Sequence, residues 1–369
     1  MTKKTPLYQN HIDLGAKMGP FAGYDMPLFY QEGALKEHEW VRTHTGLFDV
    51  SHMGQVVIHG PNAMAFIHKI CPSDFTSAPE GRAKYTVLLN EQGGIVDDMI
   101  VTRMDAECFF VVINAGRKAE DLVWMQQQII DGATISVLED RALIAVQGIG
   151  AEKIVKECFG FDCSEQPYMW FQTFPYAEDE KIYVSRLGYT GEDGFELSVP
   201  NAHAGTVWDK LLESGEVKPA GLVSRDTLRL EMGYPLYGHD LDDTITPIEA
   251  SLGWVVSKHN ESFLGHDVIR GQQKNGAGRI RVGIELTDKG IAREGAQLLS
   301  EDGTEIGMLT SGGFSPVLQK GIGQGYVDPA YAKTGAIVKV VVRNREIAAR
   351  VAPLSFVSAK TKSMKMKAA

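Results

Sequence analysis

The hydrophobic and polar positions in the first half of the chain follow two different periodicities. Short apolar and β-branched runs predict strands at residues 56–58, 86–89, 99–101 and 109–113. Apolar residues at helical spacing predict helices at residues 62–70, 118–130 and 202–213, the last with Asn201 as its N-cap. Turn residues such as those at 90–94 join the predicted strands. This irregular alternation favours an α+β fold with antiparallel sheets over a doubly wound parallel sheet.

The pattern changes after about Arg279. Short apolar segments predict strands at residues 280–286, 297–299, 306–310, 337–342 and 347–351, and Gly, Pro and Asp separate them. Such a series is typical of a small all-β barrel or jelly-roll domain. The polar, glycine-containing stretch at residues 259–278 is the predicted boundary before this domain.

Length, charge and cysteine content narrow the class of protein. The chain has 369 residues, enough for two or three domains, and its 37 basic and 47 acidic residues give a formal net charge of −10. With no long basic stripe, this charge disfavours nucleic-acid binding. The cysteines form no CxxC pair, which predicts buried, reduced thiols. No apolar run approaches the roughly 18 residues of a membrane span and no presequence is evident, so we expect a cytoplasmic protein.

Two local patterns suggest ligands but are better explained by structure. The Gly-Ile-Gly-Gln-Gly string at residues 321–325 lacks the spacing and the following helix of a dinucleotide loop. The Glu-His-Glu string at residues 37–39 consists of sequence neighbours, which do not converge on a metal in a helix or a strand. We therefore predict that residues 37–39 form a solvated helix face.

An acidic pair, Asp97 and Asp98, interrupts an apolar strand that follows two glycines. In a strand, successive side chains point to opposite faces, so at least one of these carboxylates can point toward an interior or a cleft. A buried carboxylate is costly unless it has partners or a chemical role. The pair is a candidate catalytic site, and capping of the preceding turn is the structural alternative.

Two further segments carry candidate ligand-binding groups. Residues 188–196 combine three glycines with an acidic pair, which lets the backbone approach a ligand closely, although a plain hairpin with solvated acids has the same pattern. Residues 221–231 predict a helix in which Arg225 and Asp226 interrupt the apolar positions. That arginine can serve packing, or it can present a guanidinium to a planar or carboxylate ligand.

Taken in this order, these segments resemble the T-protein family of the glycine cleavage system. The resemblance extends to residues 46–53 (Gly-Leu-Phe-Asp-Val-Ser-His-Met), 234–238 (Tyr-Pro-Leu-Tyr-Gly) and 310–316 (Thr-Ser-Gly-Gly-Phe-Ser-Pro). It runs from about residue 5 to about residue 357. The joint occurrence of these strings with the Asp pair is highly specific.

The resemblance implies a folate-dependent aminomethyltransferase with three domains around a central folate pocket. The first α+β domain comprises residues 1–50 with 140–220, the second 51–139 with 221–270, and the barrel 279–357, followed by a flexible basic tail at 358–369. The reaction passes an aminomethyl group from the lipoyl arm of a carrier protein, the H-protein, to tetrahydrofolate. Ammonia leaves and 5,10-methylenetetrahydrofolate forms, and no metal takes part.

The resemblance also assigns the site residues. The catalytic carboxylate is the second of the pair, Asp98, and the pterin contacts are Glu196 and Arg225. A carboxylate suits the two parallel donors of a pterin edge, and flat rings can pack on the pterin. The remaining family pocket positions match Met53, Tyr85, Asn114 and Tyr189.

This chain departs from the family pattern at two places. Ile149 stands where a proline usually follows Gln147 and Gly148, which affects a turn more than the chemistry. The family's C-terminal arginine contact has no counterpart that we can place in residues 355–369, so the contact to the folate tail stays open. The segment at residues 360–367 has four lysines and no acidic residue, and it is the only such basic segment in the sequence. It can help to dock the acidic carrier, or it can be a solvated tail without a role.

Three alternatives use the same fold. A folate-dependent demethylase of a small onium or N-methyl compound needs a similar pocket but not the Asp pair. A folate-binding assembly factor of iron–sulfur proteins carries a Lys-Gly-Cys-Tyr signature, which this chain lacks. A carboxy-terminal module of a flavin-linked dehydrogenase needs a preceding dinucleotide fold, for which this chain is too short.

Overall fold

The computed structural model describes residues 2–362. Eight α-helices lie in this part of the chain, and several begin within two residues of the predicted positions. The helices are Tyr8–Asp13 (α1), Ala34–Thr43 (α2), Ala63–Ile70 (α3), Lys118–Gln128 (α4), Ala151–Phe159 (α5), Ala204–Glu213 (α6), Leu222–Glu231 (α7) and His266–Asn275 (α8). Among residues 2–362 we find no helix whose length and apolar character would let it cross a membrane.

Nineteen strands lie in the same described range. In chain order they are Lys17–Phe21 (β1), Tyr24–Phe29 (β2), Thr45–Asp49 (β3), Gly54–His59 (β4), Ala83–Leu89 (β5), Ile95–Arg103 (β6), Cys108–Ile113 (β7), Thr134–Val137 (β8), Arg141–Gly148 (β9), Trp170–Pro175 (β10), Lys181–Arg186 (β11), Gly194–Pro200 (β12), Val217–Pro219 (β13), Ile280–Leu286 (β14), Gln297–Leu299 (β15), Glu305–Ser315 (β16), Lys320–Val327 (β17), Ile337–Val342 (β18) and Arg345–Ala352 (β19).

These strands form a hairpin, two larger sheets and a closed barrel. The hairpin is β1-β2, the six-stranded sheet has the order β10-β11-β12-β9-β3-β13, and the five-stranded sheet has the order β5-β6-β7-β4-β8. Neighbours in both larger sheets are antiparallel except β13 and β3. The barrel closes as β14-β17-β16-β15-β18-β19. The predicted α+β class with a C-terminal β domain is confirmed. Because the six strands of this domain close into a ring, it is a barrel and not a jelly roll.

The three large β structures pack around shared cores. Phe48, Leu143 and Phe171 of the six-stranded sheet form one buried cluster with Phe110 of the five-stranded sheet and Leu228 of α7. A second cluster joins the five-stranded sheet to residues 241–256 and to the barrel. The strands of each sheet come from the ranges that the resemblance assigns to its domains, while the division into three domains stays a prediction.

Two local predictions are wrong, each for a physical reason. Asn201 does not cap α6, because a 3-10 turn at Asn201–His203 precedes the helix and the side-chain amide of Asn201 donates to the carbonyl of Glu139 instead. The Glu37 and His38 side chains are buried rather than solvated, because α2 packs against α7. Glu37 accepts a backbone N–H from Gly221 at 2.9 Å, and His38 lies 3.2 Å from the carboxylate of Glu231.

The basic segment at the C-terminus is held on the protein where the structure describes it. The Lys360 ammonium donates to the carboxylate of Glu192 at 3.1 Å, and the Lys362 ammonium donates to that of Glu152 at 2.8 Å. The backbone carbonyl of Lys362 also accepts the N–H of Tyr168. The tail is therefore not free at these two lysines. The predictions for Lys365 and Lys367 fall outside the described residues.

Candidate active site

The seven predicted site residues come from three different parts of the fold. Tyr85 lies on β5, Asp98 on β6, Asn114 directly after β7 and Met53 directly before β4, so these four belong to the five-stranded sheet. The other three come from the six-stranded sheet and α7. They are Glu196 on β12, Tyr189 in the loop before β12, and Arg225 on α7. All seven side chains are half-buried, and we call the region that they share the recess.

Tyr189 interacts with residues from the five-stranded sheet and α7. The guanidinium of Arg225 lies over the Tyr189 ring at 4.8 Å, within cation–π range. The negative charge of Asp98 acts on the Tyr189 hydroxyl, so the two groups share one electrostatic environment. Arg225 in turn acts on Glu196. The structure therefore groups Asp98, Tyr189, Arg225 and Glu196 in a single site.

Strand alternation separates Asp97 from Asp98, as the sequence predicts. Asp97 is fully buried beneath α4, whereas Asp98 is half-buried and faces the recess. Burial, together with the negative charge of Asp97, raises the pKa of Asp98 to about 7. The amide nitrogen of Asn114 donates to Asp98 Oδ1 at 2.7 Å and orients the carboxyl group. Asp98 can therefore gain or lose a proton near neutral pH.

Tyr85 lies beside Asp98 on the neighbouring strand. Its hydroxyl is buried and has no well-formed hydrogen bond within residues 2–362, although it is close enough to Asp98 for each group to affect the pKa of the other. Burial is the main cause that raises the pKa of Tyr85 well above its ordinary value. The ring stacks on Trp254 at 5.7 Å, and Trp254 is 68% exposed. An aromatic pair therefore extends from Asp98 to solvent.

Glu196 and Arg225 form the polar end of the recess. Phe195 and Leu197 point into the core of the six-stranded sheet, so alternation turns Glu196 to the opposite face. Within residues 2–362 no donor bonds to the Glu196 carboxylate, and Arg225 Nη1 is buried without a partner. Burial raises the pKa of Glu196, and the charge of Arg225 opposes that rise. The pair presents an unpaired acceptor and an unpaired donor.

The loop that carries Tyr189 is fixed by close packing. Gly188 lies against the Gln147 side chain and Gly191, with φ +78°, lies against Met232, so a Cβ at either position would overlap its neighbour. Thr190 donates to Gln147 Oε1 at 2.8 Å. The Tyr189 hydroxyl donates to the carbonyl of Pro235. This explains why a glycine-rich loop can hold an aromatic ring in a defined position.

Sequence reasoning missed three aromatic residues near the site. Tyr234 stacks on Tyr189 at 5.7 Å and lies beside Tyr168, and Tyr168 is close enough to Glu196 for the charge of Glu196 to raise its pKa further, after burial. Trp254 is the third. Tyr234 stands in the string at residues 234–238 that supports the resemblance, so this string was the available signal. Tyr168 and Trp254 have no comparable signal, because only tertiary packing brings them to the recess.

The described residues contain no group of three or more His, Cys, Asp or Glu side chains arranged to hold a metal ion. The chemistry available in the recess is that of a carboxyl group with a pKa near 7, a carboxylate–guanidinium pair and several tyrosines. Such a set can bind a planar ligand that has both hydrogen-bond donors and acceptors, and can move a proton beside it.

Comparisons with known proteins agree on one family. Residues 7–260 match the family model of the GCVT N-terminal domain, and residues 279–358 match that of the glycine cleavage T-protein C-terminal barrel domain. An aminomethyltransferase of Desulfitobacterium hafniense is 41% identical over 363 residues, covering 96% of this chain and 98% of that protein. One from Bacteroides thetaiotaomicron is 42% identical over 354 residues, with 95% and 98% covered. The crystal structure of glycine cleavage system aminomethyltransferase T from Bartonella henselae superimposes with a TM-score of 0.93 at 38% identity, covering 98% of this chain and all of that one.

Proposed function

The chain belongs to the glycine cleavage T-protein family of aminomethyltransferases, and we propose that the recess around Asp98 is where its reaction takes place. The enzyme is a folate-dependent transferase. The aminomethyl group on the lipoyl sulfur of a carrier protein is passed to tetrahydrofolate. The carbon–sulfur bond breaks, ammonia leaves, and two carbon–nitrogen bonds to the folate form 5,10-methylenetetrahydrofolate and leave a dihydrolipoyl carrier.

The unpaired Glu196 and Arg225 are the observation that carries the folate assignment. A pterin has an amino group and a ring N–H on one edge, and these two parallel donors match a carboxylate such as Glu196. Arg225 Nη1 is a buried donor without a partner among the described residues, and leaving such a group unpaired costs stability unless a ligand accepts from it. The same ligand would lie against the Tyr189 ring. We infer that Glu196 and Arg225 bind the pterin edge.

Asp98 has the chemical character that the transfer requires. The reacting folate nitrogen is a weakly basic amine that must lose a proton as it bonds to the carbon. A carboxyl group whose pKa is about 7 can accept that proton and release it again near neutral pH. In its charged form it also stabilises the positive charge of an iminium intermediate. We infer that Asp98 handles the proton and that Asn114 orients it.

The H-protein is the proposed partner, since the T-protein family acts on a carrier with a lipoyl arm. Carriers of this system are typically acidic, as the resemblance implies, and this chain has a net charge of −10, so contact depends on a local basic surface. Lys360 and Lys362 already pair with acids of this chain. We therefore expect any contribution of the tail to docking to come from its remaining lysines.

Calorimetry of tetrahydrofolate binding tests the assignment. Glu196→Ala and Arg225→Ala should each weaken binding by about 1–3 kcal/mol, because each leaves a charged or buried group without its partner. The matched controls are Glu213→Ala and Arg345→Ala, which remove the same charges from exposed positions. Unchanged affinity in both site variants would mean that the pterin binds elsewhere.

A further inference from the structure

Asp121 is a buried acid that the proposed reaction does not use. It lies in the first turn of α4, on the face that also buries Met125, and both side chains are 0% exposed. Within residues 2–362 neither of its oxygens accepts a hydrogen bond from an N–H or O–H donor, including the N–H groups of its own helix. The group within hydrogen-bonding reach is the carboxyl group of Asp97.

Two carboxyl groups in contact need one proton between them, because two adjacent buried charges of the same sign repel strongly. Burial raises the pKa of Asp97, and the hydrogen bonds that Asp97 accepts from the backbone N–H of Asn114 at 3.1 Å and from its amide N–H at 2.9 Å oppose that rise and favour the anion. Asp121 accepts no such bond within the described part of the chain. The proton therefore resides on Asp121, whose O–H donates to Asp97.

The remaining charged and titratable groups around this pair do not change the assignment. Arg117 lies over the ring of Tyr237 at 5.2 Å and, within the described residues, acts on Asp121 only through its charge. The positive charge of Arg117 lowers the pKa of Asp121. Burial and the negative charges of Asp97 and Glu120 raise this pKa, and their combined effect is larger. Tyr237 donates its hydroxyl proton to the carbonyl of Ile95. Burial, with the charge of Asp97, raises the pKa of Asp121 to about 10.

One amide connects this pair to the proposed catalytic group. The side-chain nitrogen of Asn114 faces Asp97 Oδ1 at 2.9 Å and Asp98 Oδ1 at 2.7 Å. With Asp97 charged, the nitrogen of the amide must point at both carboxyl groups, because its oxygen would be repelled there. The charge of Asp97 is also the second cause of the raised pKa of Asp98.

We propose that Asp121 is a positioning residue, a neutral carboxylic acid whose proton bridges to Asp97 and keeps Asn114 directed at Asp98. The consequence for the reaction rests on the proposed function of Asp98, whereas the location of the proton does not. Asp121 touches no substrate. It acts through Asp97 and Asn114, which fix both the direction and the charge environment of Asp98.

An infrared difference spectrum tests where the proton resides. At pH 8 the spectrum of the wild type minus that of Asp121→Asn should show the carbonyl band of an un-ionised carboxylic acid. Glu120→Gln, which removes the exposed neighbouring acid, should show no such band in the corresponding difference. Absence of the band for Asp121 overturns the proposal. This measurement does not depend on activity, so it stands even if Asp98→Asn proves fully active and the catalytic assignment fails.

The pH profile of kcat/KM tests the positioning role. Asp121→Asn retains an N–H donor to Asp97 and should keep the acid limb of the profile within a few tenths of a pH unit of the wild type. Asp121→Leu removes the donor, so Asp97 takes up the proton itself and no longer raises the pKa of Asp98. Its acid limb should move to lower pH by about one pH unit. If the acid limb of Asp121→Leu stays at the wild-type pH, or if it moves equally in both variants, Asp121 is not a positioning residue for Asp98. If Asp121→Leu does not fold, the infrared band decides.

Discussion

Replacing Asp98 with asparagine should make the folded protein more stable at pH 8 while it impairs the reaction. The folded state raises the pKa of Asp98 from 3.8 to about 7. Between these values the folded protein binds a proton that the unfolded chain does not, so stability falls as pH rises through this window. Each pH unit corresponds to about 1.4 kcal/mol, and the full difference to about 4 kcal/mol. An asparagine side chain at this position has no charge to bury and would not carry this cost.

The comparison of two pH values isolates the charge from the other effects of the substitution. At pH 5 wild-type Asp98 is protonated in the folded state, and at pH 8 it is ionised. The hydrogen bond from Asn114 to the ionised carboxylate is one of the causes already contained in the pKa of about 7, so it needs no separate correction. The stability difference, Asp98→Asn minus wild type, should therefore increase by about 3 kcal/mol from pH 5 to pH 8.

Equilibrium urea unfolding at the two pH values measures this difference. The control is Asp131→Asn, which removes a carboxylate from an exposed loop position and should show no comparable pH dependence. If the stability difference of Asp98→Asn is the same at pH 5 and pH 8, the carboxyl group does not titrate near 7 in the folded protein. The reasoning about its proton-handling role would then be wrong.

Further predictions concern the reaction, its pH dependence, the core and the tail. Asp98→Asn should lower turnover on the order of 10²-fold or more with folate binding mostly kept, and Asp97→Asn should be milder; equal, small losses in steady-state kinetics would contradict the assignment. The kcat/KM of the wild type should rise with pH through about 7 as Asp98 ionises, and a profile flat from pH 6 to pH 8 would refute a base at this position. Arg229→Met should destabilise the protein by about 3–5 kcal/mol in urea unfolding, because it leaves the buried Asp240, 2.7 Å away, without its ionic partner. A loss of less than about 1 kcal/mol would show that this ion pair contributes little to stability. Deleting residues 361–369 should raise the KM for the carrier and weaken the salt dependence of that KM, while turnover at saturating carrier stays the same. If the KM and its salt dependence do not change, the tail has no role in docking.

Periodicity predicted those parts of the fold where local pattern and tertiary environment agree. The barrel strands β14, β15 and β18 occupy the predicted residues, and the alternation of β6 correctly separates Asp97 from Asp98. β17 was missed because its three alternating glycines give a weak strand pattern. Those glycines lie against backbone atoms of neighbouring segments, where a Cβ would overlap, so a strand with side chains at these positions could not pack there.

The site was predictable in its composition but not in its pairings. Arg225 and Asp226 are neighbours in sequence, yet the exposed Asp226 pairs with the buried Arg229 at 2.8 Å, while Arg225 lies over the ring of Tyr189. Helical geometry forces this separation, because adjacent residues point in different directions. The buried Asp121 gave no sequence signal either, since an acid in the first turn of a helix ordinarily faces solvent and complements the helix dipole.

Transfer of a one-carbon unit from a lipoyl carrier to tetrahydrofolate by this chain can be measured in one assay. The purified protein is supplied with tetrahydrofolate and aminomethylated carrier protein, and ammonia and 5,10-methylenetetrahydrofolate are measured together over time. The two products should appear in equal amounts, and both rates should fall together in Asp98→Asn. Release of ammonia without methylenetetrahydrofolate, or one-carbon transfer to folate only from an N-methyl compound, would contradict the proposed function.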